Sequence, residues 1–363
     1  MRHVAIHYHL FKNAGSSIDK ILENGFGANW ISFDPKPDRL LSAQDLIAVI
    51  DAHPAASAFS SHLIVPPAPS RAAAAADPRR TDTASTSDAA VAKADAGTDK
   101  GGNADDDIVA ASDAASDAAS DAASDAASDM ASDVASDAAS DAACDAAAEV
   151  ATGGETAAPA DAPKHTVLTP FRAHPIVVLR DPILRVRSAY LFEWQKQKGT
   201  EQPIGTLAEY VREKLEKPRA NAIEDFQTLR LSVTDPARTR PPRTRSDVEM
   251  LADASAFVAS LPAFGLVERF DESLELLEDA FSPFFPDLRF PPVRANTTQS
   301  TDTPTHERHA RIRKELGEEL HAELVARNQM DIALYRYALG RFEALHAHFR
   351  AQRRSGDDRR VAA

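Results

Sequence analysis

The sequence contains a single cysteine, Cys144, in 363 residues. No disulfide can close within the chain, which fits a reducing compartment. No apolar run approaches the ~18–20 residues that a membrane span requires. The amino terminus lacks a basic region followed by an apolar stretch, and a strand pattern already begins at His3. That start leaves no room for a cleaved leader. These absences predict a cytoplasmic protein with no transmembrane segment, for which only peripheral attachment to a membrane is compatible. The nucleoside-triphosphate signature G-x-x-x-x-G-K-[ST] is missing too. Between Ala68 and Lys164 there is no aromatic residue at all, so that stretch cannot build a core of its own.

What is present is unevenly distributed. The net charge is −14, from 41 Lys+Arg against 55 Asp+Glu. Residues 66–165 hold 6 basic and 20 acidic residues, a net of −14, which leaves 35 of each sign elsewhere. The remainder is neutral and about the size of one α/β domain. Neutrality gives no reason to expect a nucleic-acid partner. From Ser112 to Asp145 the chain repeats Ser-Asp-Ala-Ala, with Met130, Val134 and Cys144 as departures. A four-residue period drifts around a helix of 3.6 residues per turn, and aspartates at i,i+4 repel. The reading is a low-complexity, disordered acidic insert at 66–165 within a single domain of residues 1–65 and 166–350, followed by a charged tail at 351–363. Such an insert is entropically cheap in a surface loop. A working role as an acidic interaction segment is the other reading. Cys144 is a variant of the repeat's serine.

Two stretches carry the chemistry. The first is His3 to Leu22. Val4, Ile6, Tyr8 and Leu10 alternate with their neighbours as a strand does. Lys12-Asn13-Ala14-Gly15-Ser16-Ser17 follows as a small polar loop. Ile18, Ile21 and Leu22 then fall at helical spacing, with Gly25 as the expected stop. Strand, loop and helix start present backbone N–H groups to a phosphate or sulfate, with Lys12 as the cation and Ser16 and Ser17 as hydroxyl donors. The second stretch is His174 to Arg180, a short apolar run typical of a buried parallel strand. Asp181 caps the next helix, Pro182 takes its first position, and Ser188 lies two turns further on. Arg180 and Ser188 can bind one anion. Both turns lie at carboxyl ends of strands, where open parallel sheets bind ligands.

The rest reads as strands at Asn29–Phe33, Ala58–Val65 and Phe264–Val267. Helices are expected at Ser42–Ile50, Leu207–Leu215, Ile223–Leu231, Val248–Ser260 and Glu272–Phe281, with a long one over 307–349 broken near Asn328. The fold class is α/β: three layers, with a mostly parallel central sheet, flanking helices and one interruption.

The two turns together resemble the sulfotransferases that use 3′-phosphoadenosine 5′-phosphosulfate (PAPS), in particular their carbohydrate-type, heparan-sulfate-like and bacterial members. Further matching stretches are Phe226 to Leu231, Gly265 to Ser273 and Asn328 to Tyr335. The resemblance implies a P-loop-like fold, PAPS as co-substrate, no metal, and transfer of a sulfuryl group to a hydroxyl, of a glycan in the first instance. It implies that Asn13, Ala14, Gly15, Ser16 and Ser17 hold the 5′-phosphosulfate and that Lys12 stabilises the leaving phosphate oxygen. It also implies that Arg180 and Ser188 hold the 3′-phosphate. His62, in or at the end of the Ala58–Val65 strand pattern, is the first choice of general base. A hydrogen-bonded structural histidine is the equal alternative, and the family's base can be a carboxylate elsewhere. Gln227 and Arg230 either line an acceptor cleft or form a solvent-facing helix surface, and Asn296 and Thr297, in a Pro-rich loop, either touch the nucleotide or are ordinary loop residues. His7 and His9 share one strand face as core or rim histidines, since no third metal ligand stands at a recognisable spacing. The competing functions are a P-loop kinase or NTPase, and a non-catalytic protein on the same fold.

Overall fold

The computed structural model describes residues 1–36, 39–71, 169–198, 204–217, 222–232, 245–292 and 303–361. The Ser-Asp-Ala-Ala repeat, Cys144, Asn296 and Thr297 lie outside them. The described residues group into one contact unit, a mixed α/β arrangement in which a mostly parallel sheet is flanked by helices.

The sheet is built around β1, Arg2–Tyr8. The others are β2, Trp30–Ser32, β3, Ala58–Ser61, β4, Ser70–Arg71, and β5, Phe171–Ile176. Their order is β2-β3-β1-β5-β4, parallel throughout except for β4. Ala5 stands opposite Ala58 and Ile6 opposite Phe59, while Val4 faces Ala173 and His7 faces Ile176. The alternation in β1 predicts one buried face. Every residue from Val4 to Tyr8 is buried instead, because β1 is central and the chain packs on both sides of it. A further strand pair, β6 (Val178–Leu179) with β7 (Gly265–Leu266), continues the parallel direction beyond β5. The run expected as one strand from His174 to Arg180 is therefore two strands with a break at Val177, whose carbonyl accepts from Gly265 N–H at 2.9 Å.

The helices follow the sequence closely where caps are present. The first helix, α1 (Gly15–Phe26), buries Ile18, Ile21 and Leu22, each stabilising by roughly 1.5–3 kcal/mol. It runs past Gly25 and ends at Gly27, which has φ 54°, so Gly27 and not Gly25 is the stop. The second, α2 (Ala43–Ala52), begins with a reciprocal capping box between Ser42 and Asp45. Asp181 accepts from the N–H groups of Ile183 and Leu184 at 3.0 Å and caps α3 (Pro182–Gln197). Thr206 and Ser246 do the same for α4 (Leu207–Leu215) and α6 (Asp247–Ser260). Between these lies α5 (Phe226–Leu231), with α7 (Phe270–Phe281) after β7. The long carboxyl-terminal helix is three: α8 (Thr305–Leu316), α9 (Glu318–Ala326) and α10 (Gln329–Val361). Gly317, at φ 77°, makes the first break, and Asn328 makes the second.

Three boundaries move. β3 stops at Ser61, short of Val65, because Asp34 captures the His62 N–H at 3.0 Å and the Ser61 hydroxyl at 2.6 Å. The domain does not close at residue 65: Arg71 pairs with Phe171 in β4 and forms a double hydrogen bond to Asp51 at 2.8 and 2.7 Å. The tail expected at 351–363 is helical through Val361. Among the described residues, no helix is long and apolar enough to cross a membrane.

Candidate functional site

The parallel strands deliver their carboxyl ends to one edge of the sheet, and the predicted site residues lie there. Leaving β1, the chain turns through Lys12 and Ala14, both in the left-handed region at φ 61° and 57°. For residues with a Cβ this costs on the order of 1 kcal/mol each. The turn aims the start of α1 back at the strand end. The first helical bonds run from Ser17 N–H and Ile18 N–H to Ala14 O, at 3.1 and 3.2 Å, so the amides ahead of Ser17 lie outside the helix ladder. Gly15 is needed here for space: a Cβ would lie 1.9 Å from His9 Cδ2.

The loop is bolted to the second turn. Asn13, buried, donates from Nδ2 to Val178 O at 2.9 Å and to Gln227 Oε1 at 2.7 Å. Gln227 Oε1 also accepts from Arg180 N–H at 3.0 Å, and Gln227 Nε2 donates to Arg180 O at 2.9 Å. Arg180 Nη1 then donates to Lys12 O at 3.0 Å. The structure thus brings Lys12, Asn13 and Arg180 together through a residue from α5. Gln227 is 1% exposed, which overturns the solvent-facing reading of its helix face. Arg230, on the same short helix, is largely buried, and burial pushes its guanidinium below the usual range while nearby Asp34 acts the other way.

What holds α5 in place is α10. Asp331 accepts from the N–H groups of Gln227 and Thr228 at 3.1 and 2.7 Å, and its own N–H donates to Asp225 Oδ1 at 3.0 Å. Asn328 Oδ1 accepts from Asp225 N–H, and its Nδ2 donates to Ile223 O and Leu324 O, both at 2.9 Å. Buried amides and carboxylates of this kind are stable only when each is satisfied. The stretches Phe226–Leu231 and Asn328–Tyr335 are therefore a bracket that sets Gln227. Tyr335 extends it, donating to Glu268 Oε2 at 2.8 Å. Glu268 also accepts from Asp181 N–H at 3.1 Å and lies 3.9 Å from Arg180 Nε. Burial raises the Glu268 carboxyl above its ordinary range, and Arg180 opposes that shift.

Three residues that the sequence did not assign join the edge. His309 of α8 sits with Nε2 3.0 Å from Asp181 Oδ2. Its hydrogen bond to Asp181 raises its pKa against the opposing effect of burial. Lys12 Nζ lies 4.4 Å from the Phe192 ring centroid and Lys196 Nζ 4.3 Å from the same ring, so two ammonium groups gather beside the first turn. Asp34 sits 2.9 Å from His62 Nδ1 through Oδ2, which fixes the orientation of the imidazole. Burial pushes the Asp34 carboxyl up, but the His62 and Ser61 hydrogen bonds outweigh it and leave it below the usual range. His62 is half-exposed and stacks on His9, with ring centroids 3.8 Å apart. It is thereby connected through His9 to Gly15 of the loop. Ser188 is buried on α3; among the described residues no hydrogen bond joins it to the Asn13–Gln227–Arg180 network.

Beneath the loop, His7 and His9 point to one carboxylate. His7 Nδ1 lies 2.7 Å from Asp19 Oδ1 and His9 Nδ1 2.9 Å from Asp19 Oδ2. Burial alone would raise the Asp19 carboxyl, but the two imidazoles reverse this and hold it well below the carboxylate range. The His9 imidazole is lowered by burial, against the pull of Asp19.

No protein-family model matches the chain. Over 168 residues it is 30% identical to an uncharacterized protein of Archaeoglobus fulgidus, a stretch covering 44% of this chain and 63% of that protein. The chain therefore spans less than two thirds of the length of this relative.

Proposed function

We propose that the protein is a PAPS-dependent sulfotransferase that passes a sulfuryl group to a hydroxyl, with a carbohydrate as the first acceptor class to try. The observation that carries this reading is the junction of the two anion turns: Asn13 and Arg180 share Gln227, and Arg180 grips the carbonyl of Lys12. A nucleotide with anionic groups at both ends needs two such turns at a fixed separation, and this bracket supplies the rigidity. The strand order β2-β3-β1-β5, with β6 carrying β5 on to β7, supports a three-layer P-loop-like sheet for the same reading.

The roles proposed are those that the resemblance implies for these positions. The loop from Asn13 to Ser17, at the start of α1, cradles the 5′-phosphosulfate at the helix N-terminus. Lys12, with Lys196 beside it, stabilises the charge that grows on the bridging phosphate oxygen as the S–O bond breaks. Arg180 takes the 3′-phosphate in this reading, and Ser188, buried on α3, is the hydroxyl that the resemblance adds. His62, oriented by Asp34, takes the acceptor proton as the acceptor oxygen bonds to sulfur. In-line transfer of this kind depends on alignment and charge stabilisation, as phosphoryl transfer does.

Calorimetric titration with adenosine 3′,5′-bisphosphate tests the assignment. Binding is expected without magnesium. Lys12→Ala is expected to slow sulfuryl transfer by about 10²–10³-fold while the chain remains folded. An absence of binding, or binding indifferent to both Lys12→Ala and Arg180→Ala, overturns the reading. Magnesium-dependent binding of ATP in its place would favour the kinase or NTPase alternative.

A further inference from the structure

We infer that His7, His9 and Asp19 form a binding site for a divalent cation of the zinc class, seated beneath the first turn. This goes beyond the sulfuryl-transfer reading and is independent of it. His7, in β1, and His9, just past its end, stand two residues apart, and both imidazoles reach one carboxylate. Asp19 comes down from the second turn of α1 and meets them. The ligand atoms of the three residues all lie within 4.8 Å of one another. In a tetrahedral site with metal–ligand distances near 2.0–2.1 Å, ligand atoms stand about 3.3 Å apart. The present His–Asp distances of 2.7 and 2.9 Å are shorter than that by about half an ångström, a movement within side-chain reach. The sequence could not show this site, because the third ligand stands ten residues after His9, on a different element.

The donor set selects the ion. Two imidazole nitrogens and one carboxylate suit zinc, whereas magnesium and calcium prefer all-oxygen shells. Burial adds an electrostatic reason. Asp19 is buried with both oxygens turned toward imidazoles, and a buried carboxylate requires a compensating positive charge. A cation there also removes an anion from beneath a loop that presents amides to anions. Access is from the His9 side, where the side chain is 11% exposed. Binding needs the Nδ1 lone pair of each imidazole to face the metal, with Nε2 carrying the ring proton. Asp19 gives one oxygen and water completes the shell.

Because the His9 ring packs against Gly15 and His62, the metal would fix the loop and the His62 imidazole together. It acts as a positioning element, with no place in the transfer step itself.

The experiment uses the full, untagged chain, stripped with chelator and dialysed against Zn²⁺. Elemental analysis is expected to find one zinc per chain, with a raised unfolding temperature. His9→Gln and Asp19→Asn are expected to weaken Zn²⁺ binding by about 100-fold or more, while His348→Gln, on the exposed face of α10, leaves it unchanged. Should either site variant fold poorly, Co²⁺ added to the wild-type chain reads the geometry directly: the intense visible bands of a four-coordinate ion support the site. Weak six-coordinate bands, or zinc that dialyses away from the wild-type chain, overturn it.

Discussion

At the scale of single residues, Gly15 shows how a small side chain can be demanded by a neighbour rather than by backbone angles. The His9 ring occupies the space a methyl group would take. Gly15→Ala is expected to push His9 off Asp19 and His62 and to lower stability by about 1–3 kcal/mol, read as a shift of the urea midpoint at unchanged slope. The loop was legible in the sequence because Lys12, Asn13 and Gly15 are adjacent. Its supports were not. Asp34 stands 28 residues before His62, and Gln227 stands 214 residues after Asn13. No local pattern marks such a partner, since the pairing exists only once the sheet has formed. Gln227 in particular sits on a helix whose spacing reads equally well as a surface.

Helices and strands were legible to the extent that their ends carried side-chain caps. Asp181 caps the helix expected of it, as Ser42 does, and Thr206 and Ser246 cap two helices whose starts the spacing placed to within a residue. The start of α5 was misplaced by three residues, because its cap comes from another helix: Asp225 turns at φ 44° and Asp331 accepts the first amides. Asp331→Ala removes both acceptors in a buried place. The expected cost is roughly 2–3 kcal/mol, measured by chemical denaturation, together with loss of the Gln227 contacts as seen in backbone amide exchange. α8 brings a pH dependence of its own. The folded-state pKa of His309 is raised by Asp181, so the pair's contribution is fully present below the unfolded value near 6.5. It is lost as pH rises through the higher, folded value. The stability deficit of His309→Gln is therefore expected to be larger at about pH 5.5 than at about pH 8.5, in paired urea titrations.

For the whole molecule, the informative feature is the pairing of Arg71 with Phe171. The chain leaves the sheet at β4 and re-enters it at the residue opposite, although 99 residues separate the two positions. Composition set the segment apart in the sequence, but only its approximate limits, because nothing in Ser70-Arg71 distinguishes a two-residue edge strand from the polar residues around it. Replacing residues 74–166 by a short Gly-Ser linker is expected to leave the unfolding temperature within a few degrees, since antiparallel neighbours stand about 5 Å apart and a tight connection spans them. Binding of adenosine 3′,5′-bisphosphate is expected to survive as well. Loss of binding with the fold intact would assign the segment a part in the site.

The same pairing bears on how the molecule is partitioned. Loop closure grows only with the logarithm of length, so carrying 99 residues instead of a tight turn costs about 3 kcal/mol. Lys12 and Asn13 lie on one side of this long excursion, and Arg180 and Gln227 on the other. The two stretches of backbone meet along the six-residue register of β1 and β5 and through the bonds that Asn13 and Lys12 make. Covalent continuity contributes little to holding them. In its mechanics the protein resembles an assembly of two pieces, and its two strand-end turns stand on opposite shores of the joint.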